Sequence, residues 1–509
     1  MRSTFHGLET AKRAIYAQQN ALYTTGHNIA NANTVGYTRQ RVNFGTMNPI
    51  DPLAANRAVT PGQLGTGVIV RDVVRLRESF LDSQFRNENQ RLGEWEVRLD
   101  TLEKLEAIMN EPSESSLAVI MDEFWAAWHT LSEGPGESTN RTVVIEKMKM
   151  LAEAFNVKAG QLNDLEADLQ DSLDIKYEQA NELIGHIANL NAEIVKIEST
   201  GDNANDLRDR RDLLVDELSK LVDVRVREED DGSYTVTLAN GTVLLASDGT
   251  TFNLEDVVAD LAGGEIHGLI QSVTKVNDYR AELDTMVRTL VEGEVEVTLP
   301  VGTVIYDTDD VEGVDGDYQY GEPLQAPMTV TVKGVNGLHQ LGYNASGERG
   351  EPLFVAVDDS GNMTASSIRV SPSLINDESL LAPSHKADDD GTIESSNGIA
   401  LLMAKLKDAD FEFGTTDSTI TEGTIGDYYS AYTAKLGVET DSASKQLSNQ
   451  LVVLNQVDMR RASVSAVSLD EEITQMIMFQ HAYNAAARNM TAIDEMLDRI
   501  INGMGHVGR

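Results

Sequence analysis

The stretch SLDEEITQMIMFQHAYNAAARNMTAIDEMLDRIIN, residues 468–502, decides the fold of this chain. Neither glycine nor proline occurs between Val438 and Asn502, which predicts one very long helix or two helices in series. Apolar side chains recur here at alternating spacings of four and three residues, interrupted only by Gln480 and Asp494. The full row is Leu469, Ile473, Met476, Gln480, Tyr483, Ala487, Met490, Asp494, Leu497 and Ile501. This row predicts a coiled-coil seam of about four heptads, which needs a partner helix.

The N-terminal segment carries a similar but shorter pattern. Phe5, Leu8, Ile15 and Leu22 fall on one helical face, with alanines beside them. An isolated helix of about 20 residues is marginal in water, so this helix is expected to become ordered only when it is packed. The simplest partner for each terminal stripe is the other one. The alternative, an ordinary intramolecular core, fits the same residues.

Between the two ends the pattern changes from helix to strand and back. Helical spacing runs through 92–109, 144–155 and 183–197, and a period of two begins at Val222. Asn240-Gly241 predicts a turn between strands. One predicted helix over 266–291 interrupts the β-rich sequence, and a helical pattern returns beyond Pro383. The predicted fold is therefore mixed α and β, with the two kinds of structure segregated.

We expect three domains from this order. Residues 1–45 with 462–509 form a terminal coiled-coil core domain, and 46–222 with 375–461 form a long, mainly helical stalk domain, built as a bundle. Residues 223–374 form an inserted β-rich outer domain.

Composition excludes several classes of protein. The chain has 509 residues, no cysteine, and 82 acidic against 41 basic residues, giving a net charge of −41. Disulfide frameworks and thiol chemistry are excluded, and so large an acidic excess argues against a nucleic-acid partner. No apolar run is long enough to span a membrane, and Glu9, Lys12 and Arg13 interrupt any signal-peptide core. The acidity fits either a solvated outer domain or a saline or alkaline habitat.

No motif for catalysis or for a cofactor or metal ion is found in the sequence. The nine histidines form no H-x-x-x-H pair, and Gly65-Thr66-Gly67 reads as a turn, since it lacks the third glycine of a dinucleotide loop. Residues 388–391 suggest a calcium loop, but Lys386 stands where that loop needs an oxygen ligand. We therefore predict that the chain is not an enzyme and takes no cofactor.

The most specific local sequence motif is GHNIANANTVGY, residues 26–37. Its asparagines and Gly36 can end a helix and form a turn. This text, continued by residues 38–42, 65–68 and 75–88, resembles the N-terminal signature of bacterial flagellar rod, hook and hook-associated proteins.

Two further blocks, NDLRDRRDLLVDELSKLV at 205–222 and residues 464–498, are similar to the FlgK family of hook-associated proteins. The resemblance covers nearly the whole chain. One stretch departs from it, because about forty residues, 293–333, intervene after the helix that ends near Val291. Their alternation over 295–299, 301–306 and 328–332 predicts a small acidic β-module inserted into the outer domain.

The resemblance implies a structural protein at the junction of flagellar hook and filament, exported without a cleaved signal peptide to the cell exterior. It implies a ring of identical copies, and as partners the hook protein, the next hook-associated protein towards the filament, and a cytoplasmic export chaperone that holds the C-terminal helix. A hook or rod subunit, or an adhesion module displayed on the flagellum, is the alternative. The residues predicted to serve assembly are Leu8, Ile15, Leu22, Asn28, Ile29, Asn31, Asn33, Gly36, Tyr37, Arg39, Arg41, Leu469, Ile473, Met476, Tyr483, Met490, Leu497 and Ile501.

Overall fold

The computed structural model describes residues 5–48, 65–109, 116–306, 311–357, 362–386, 396–414 and 420–503. The chain forms two compact units. The first comprises Met1–Glu94, Ile175–His267 and Ser448–Arg509, and the second comprises Trp95–Asp174 and Gly268–Leu447. The division into three domains stays a prediction, and the acidic run at 388–391 lies outside the described residues.

Helices account for most of the described chain. In order they are α1 His6–Ala30, α2 Ser79–Met109, α3 Leu117–Glu133, α4 Ser138–Glu198, α5 Asn205–Leu221, α6 Gly264–Glu292, α7 Gly334–Gln340, α8 Pro372–Asn376, α9 Gly398–Lys405, α10 Ile425–Ser465 and α11 Leu469–Gly503. The helical patterns at 144–155 and 183–197 belong to one helix, α4, of 61 residues. The C-terminal stretch forms two helices in series, α10 and α11. The last carbonyl of α10, that of Ser465, accepts a hydrogen bond from the backbone N–H of Arg39 at 2.9 Å.

The strands are short. They are β1 Gln40–Thr46, β2 Val68–Arg75, β3 Val224–Glu228, β4 Tyr234–Leu238, β5 Val243–Leu245, β6 Glu294–Leu299, β7 Val311–Glu312, β8 Met328–Lys333, β9 Phe354–Ala356, β10 Ile368–Val370, β11 Phe411–Glu412 and β12 Glu422–Gly423. They form four antiparallel sheets: β1-β2, β3-β4-β5, β9-β10 and the five-stranded β12-β11-β6-β8-β7. The predicted turn at Asn240-Gly241 is confirmed between β4 and β5, where Gly241 has a φ of 97°.

Buried side chains of the first unit lie on α5 and in the β3-β4-β5 sheet. Leu218, Val236 and Leu245 are fully buried, and β4 alternates between buried and half-buried positions as one covered sheet face requires. The start of α6 lies against the end of α5. Gly264 has a φ of +92°, and a Cβ there would lie 2.3 Å from the carbonyl oxygen of Leu221, so only glycine fits.

The second unit contains residues 293–333, whose assignment as a small acidic β-module inserted into an outer domain stays a prediction. The predicted strands at 295–299 and 328–332 are present as β6 and β8, but 301–306 is not a strand and only Val304 makes an isolated bridge, to Pro323. The sheet is not self-contained, since β11, about a hundred residues later in the chain, pairs with β6 through Phe411 and Val295. The buried faces of β6 and β8 join the main hydrophobic core of this unit. A single small sheet with one apolar face must bury it against another element, which the sequence pattern alone did not identify.

Candidate functional site: the terminal helices and the charged anchor

The two terminal helices lie side by side and antiparallel. Near the N-terminus of α1, a Cβ on Gly7 would lie 3.1 Å from Cδ1 of Ile493. Near its C-terminus, Asn28 Nδ2 donates to Glu472 Oε2 at 3.0 Å. The chain thus pairs its first helix with its last, as the two apolar stripes predicted.

The buried side of α11 differs from the predicted seam by one row. Its buried and half-buried positions include Glu472, Met476, Phe479, Tyr483, Ala486, Met490, Ile493 and Leu497. The predicted residues Met476, Tyr483, Met490 and Leu497 lie on this side, whereas Leu469, Ile473 and Ile501 are exposed. The second row starts one position earlier than predicted, which places the polar exceptions Gln480 and Asp494 in solvent. The role of the exposed residues in assembly stays a prediction.

On α1 the buried side is made of small residues. Ala11, Ala17, Ala21, Thr25 and Asn28 are buried, and small side chains let a neighbouring backbone approach closely. The predicted stripe of larger side chains, Leu8, Ile15, Leu22 and Ile29, is half-buried along the margin of this face.

Asn28 joins the end of α1 to both β1 and α11. Its Oδ1 accepts from Gln40 N–H at 3.0 Å and from the Tyr37 hydroxyl at 2.8 Å, and its Nδ2 donates to the Gln40 carbonyl at 2.8 Å. With the bond to Glu472, every donor and acceptor of this buried amide is used. Substitution here would leave buried polar groups unpaired.

The remaining residues of the asparagine-rich turn have smaller parts. Asn31 Nδ2 donates to the carbonyl of His27, Asn33 is exposed, and Gly36 has a φ of 79° that favours glycine. These contacts confirm a helix stop followed by a turn. Arg41 is exposed on β1.

Arg39 fixes the start of α11. Its Nε lies 2.7 Å from Glu472 Oε1, and its Nη1 lies 2.7 Å from Glu471 Oε2. Glu472 is almost fully buried, so removing one partner of this pair would cost more stability than breaking a surface ion pair. One arginine therefore binds the first turn of α11 to the strand that follows α1.

A buried cluster of ion pairs lies on one face of α5. Asp209, Asp212 and Asp216 are spaced by three and four residues, so their carboxylates share that face, and all three are buried. Their basic partners come from distant segments. We call the cluster the charged anchor: Arg75, Arg77, Arg86, Asp209, Asp212, Asp216 and Arg461.

Asp212 is the centre of the charged anchor. Arg75 Nη1 lies 2.7 Å from its Oδ2, and Arg86 Nη2 lies 3.2 Å from its Oδ1. The hydroxyl of Tyr234 donates to Oδ1 at 2.9 Å. Arg77 Nη1 also lies 3.5 Å from Oδ2, so the carboxylate is paired with three arginines from the β2–α2 region and with one residue of β4.

The outer members of the anchor connect it to both chain ends. Asp216 pairs with Arg86 Nε at 2.7 Å and with Arg461 Nη1, on α10, at 2.5 Å. Asp209 accepts from the backbone N–H of Thr38 at 2.8 Å and pairs with Arg75. The anchor therefore positions the segment after α1 and the helix before α11.

Burial and pairing shift the pKa values of these aspartates in opposite directions. Burial raises the pKa of Asp212, but Arg77, Arg75 and Arg86 outweigh it and hold that pKa well below its usual range. Burial also raises the pKa of Asp209, and here Arg75 and the Thr38 N–H do not fully compensate. The neighbouring arginines consequently favour the charged form of Asp212.

The sequence prediction did not assign the anchor residues to the site. Two signals were present: the acidic row at 209, 212 and 216, and the arginines within residues 75–86. Nothing in the sequence links them, since about 130 residues separate the partners. Within the described residues, no group of three or more histidine and acidic side chains is placed to hold a metal ion. No described helix is both long and apolar enough to cross a membrane.

Comparison with known proteins identifies three families that match parts of this chain. Residues 102–260 match the family described as flagellar hook-associated protein FlgK helical domain. Residues 8–38 match the flagella basal body rod protein family, and 461–503 match the C-terminal family of flagellar basal body rod FlgEFG proteins. These two matches include most of α1 with the turn that follows it, and the end of α10 with all of α11.

Full-length relatives carry one name. Flagellar hook-associated protein 1 of Bacillus subtilis is 34% identical, with 100% of both chains covered. The protein of that name from Salmonella typhimurium is 25% identical over 97% of this chain and 98% of its own. In fold, the chain is similar to a solved structure of the flagellar hook junction protein FlgK from Burkholderia pseudomallei, with a TM-score of 0.50, 13% identity, and coverage of 75% of this chain and 100% of that one. The chain belongs to the flagellar hook-associated protein 1 family.

Proposed function

We propose that this protein is a structural subunit of the bacterial flagellum at the junction between hook and filament. The observation that carries the proposal is the pairing of α1 with α11. These helices lie in the two segments that match flagellar rod families, and the chain is related along its full length to hook-associated protein 1. The role is structural rather than catalytic, and the protein acts outside the cell.

Self-assembly proceeds through the terminal coiled-coil core of 1–45 and 462–509. The inner side of α11 holds the helix pair together within a chain, while Leu469, Ile473 and Ile501 remain exposed. Exposed apolar side chains along one helix are costly in water unless a partner covers them. Copies of the same chain, the hook protein and the next hook-associated protein are the partners we propose.

Export through the flagellar secretion apparatus requires α11 to be shielded before assembly. Several of its apolar side chains are exposed even in the folded chain, among them Ile477 at 50% and Met478 at 57%. A cytoplasmic chaperone that binds α11 would cover this surface.

A hook or rod subunit is the second candidate, favoured by the rod-family matches at both ends. Deleting the gene separates the candidates. Electron microscopy of the cells and an assay for flagellin in the medium are the measurements, with the wild-type gene restored as control. Bare hooks with monomeric flagellin in the medium are expected. Missing hooks would assign the protein to rod or hook, and normal filaments would refute both roles.

A further inference from the structure

A cavity of about 480 Å³ lies in the second unit, where α2, α6 and α10 each contribute residues to its lining. All of these residues fall within 95–174 and 268–447, the two ranges that form that unit. The described lining contains no residue of the charged anchor, of α1 or of α11. Cavities of this size with mainly apolar walls and a few polar groups are typical of sites for small molecules.

The apolar wall of the cavity is provided by α2 and α10. Trp95 and Leu102 come from α2, and Val438 and Ala443 come from α10. Leu102 and Ala443 are buried, whereas the Trp95 ring is half-buried and Val438 is 69% exposed. The lining thus extends from buried side chains to exposed ones, as in a pocket that opens at the protein surface.

Ser272 of α6 supplies a buried hydroxyl to the lining. The residue is 3% exposed, and its Oγ has no hydrogen-bond partner among the described residues. Thr101, which also lines the cavity, instead donates its hydroxyl to the carbonyl of Val97 at 3.0 Å, as hydroxyl side chains in helices commonly do. A buried hydroxyl without a partner is unfavourable, and a ligand atom that accepts its proton would remove that cost.

The charges in the lining favour an anion. The guanidinium carbon of Arg98 lies 5.1 Å from the centroid of the Trp95 ring, and Lys275 Nζ lies 3.2 Å from Glu439 Oε1. Glu439 also accepts a hydrogen bond from the Tyr279 hydroxyl at 3.1 Å. The two cations outnumber the acidic residue of the described lining, although the chain as a whole has a net charge of −41. A local positive balance of this kind attracts a negatively charged group.

We propose that this cavity binds a small amphipathic carboxylate, a molecule of the chemical class of medium-chain fatty acids. Its apolar chain packs on Trp95, Leu102 and Val438, and its carboxylate accepts hydrogen bonds from the Ser272 hydroxyl and the Arg98 guanidinium. The site goes beyond the proposed structural function, because it gives the second unit a ligand. Such a ligand stabilises the folded chain, since the unfolded chain has no cavity to bind it.

The position of Trp95 provides a direct assay. The other two tryptophans, Trp125 and Trp128, are 5% and 0% exposed, so Trp95 is the tryptophan that a ligand in the cavity contacts. Bromine quenches tryptophan fluorescence on close contact, and ω-bromooctanoate is therefore the probe, used with the full-length chain at neutral pH. We expect saturable quenching with a dissociation constant below about 1 mM, a reasonable affinity for a ligand of about ten heavy atoms. The neutral alcohol of the same length, ω-bromooctan-1-ol, should bind about tenfold more weakly, because it cannot form charge-assisted hydrogen bonds.

Four variants locate the probe in the cavity. Ser272→Ala and Arg98→Gln should each raise the dissociation constant about tenfold, because each removes a hydrogen bond to a charged group. Ser442 is an exposed residue of the lining, so Ser442→Phe should obstruct the cavity and abolish quenching. The matched control is Ser444→Phe, which is exposed on the opposite side of α10 and should leave binding unchanged. Circular dichroism first shows that each variant is folded.

Three results would overturn the proposal. The first is the lack of saturable quenching at probe concentrations about tenfold above the expected dissociation constant. The second is equal affinity for the acid and the alcohol, together with unchanged binding to Ser272→Ala and Arg98→Gln. The third is quenching that persists in Ser442→Phe, because the probe would then lie outside the cavity.

Discussion

Replacing Asp212 with asparagine removes one charge from the centre of the charged anchor and keeps the shape of the side chain. Asp212 is 1% exposed, and Arg75, Arg86 and the Tyr234 hydroxyl all contact its carboxylate. In the variant, the guanidinium groups of Arg75, Arg77 and Arg86 lose a charged acceptor and face an amide instead. The expected result is a less stable first unit.

The size of the loss follows from the contacts that remain. Breaking a buried ion pair costs about 3–5 kcal/mol, since the partner's charge stays buried without compensation. Arg75 keeps Asp209, Arg77 keeps Asp82 and Arg86 keeps Asp216, so we expect the lower end, about 3 kcal/mol. Because the folded pKa of Asp212 is depressed, its contribution is fully present above the unfolded pKa of about 3.9 and is lost as the pH falls below it. Neutral pH therefore gives the full effect.

Urea unfolding followed by circular dichroism measures the change in stability. All three tryptophans, Trp95, Trp125 and Trp128, lie in the second unit, so their fluorescence reports that unit separately. The matched control is Asp100→Asn, whose exposed carboxylate pairs with Lys104 at 2.8 Å and should cost less than about 0.5 kcal/mol. A loss below about 1 kcal/mol for Asp212→Asn would refute the central role of this carboxylate.

Two further predictions test other parts of the chain. His339 is fully buried, its ring accepts a hydrogen bond from Ala382 N–H, and burial lowers its pKa to about 4. Acidification from pH 7 to pH 4 should therefore cost the native chain about 3 kcal/mol of stability. A His339→Gln variant should not lose this stability. A stability difference between the two proteins that does not change with pH would contradict this. Leu497→Asp should destabilise the terminal helix pair by about 3 kcal/mol, because Leu497 is 8% exposed. Ile501 is 66% exposed, so Ile501→Asp should change stability by less than about 0.5 kcal/mol. Trypsin digestion rates of the terminal helices measure both, and equal rates for the two variants would contradict the burial difference.

The sequence predicted local structure well where one period dominates. The alternation in β6 and β8, the turn at Gly241 and the helix break after Asn28 are all observed, because each depends on a few adjacent residues. The register of α11 was wrong in one row. Two rows of α11 fit a helical period almost equally: one contains Gln480 and Asp494, and the other contains Phe479 and Ile493. Only the helix that packs on α11 decides which of the two rows is buried.

Long-range pairing was the part that the sequence did not provide. The pairing of β11 with β6 joins residues about 115 positions apart, and the charged anchor joins the β2–α2 region to α5 across a similar distance. Periodicity identifies a buried face but not the element that covers it. The anchor aspartates were consequently visible as an acidic helix face, which ordinarily faces solvent.

Because α1 pairs with α11, the N-terminal helix can fold correctly only in a molecule that also has its C-terminal helix. Asn28 and Arg39 find their carboxylate partner 444 and 433 residues later in the chain. Any product of premature termination or of proteolysis that lacks α11 leaves these buried groups unpaired and the alanine face of α1 in water. Truncated chains of this kind would be unable to form the terminal helix pair, so that only intact molecules have both ends folded.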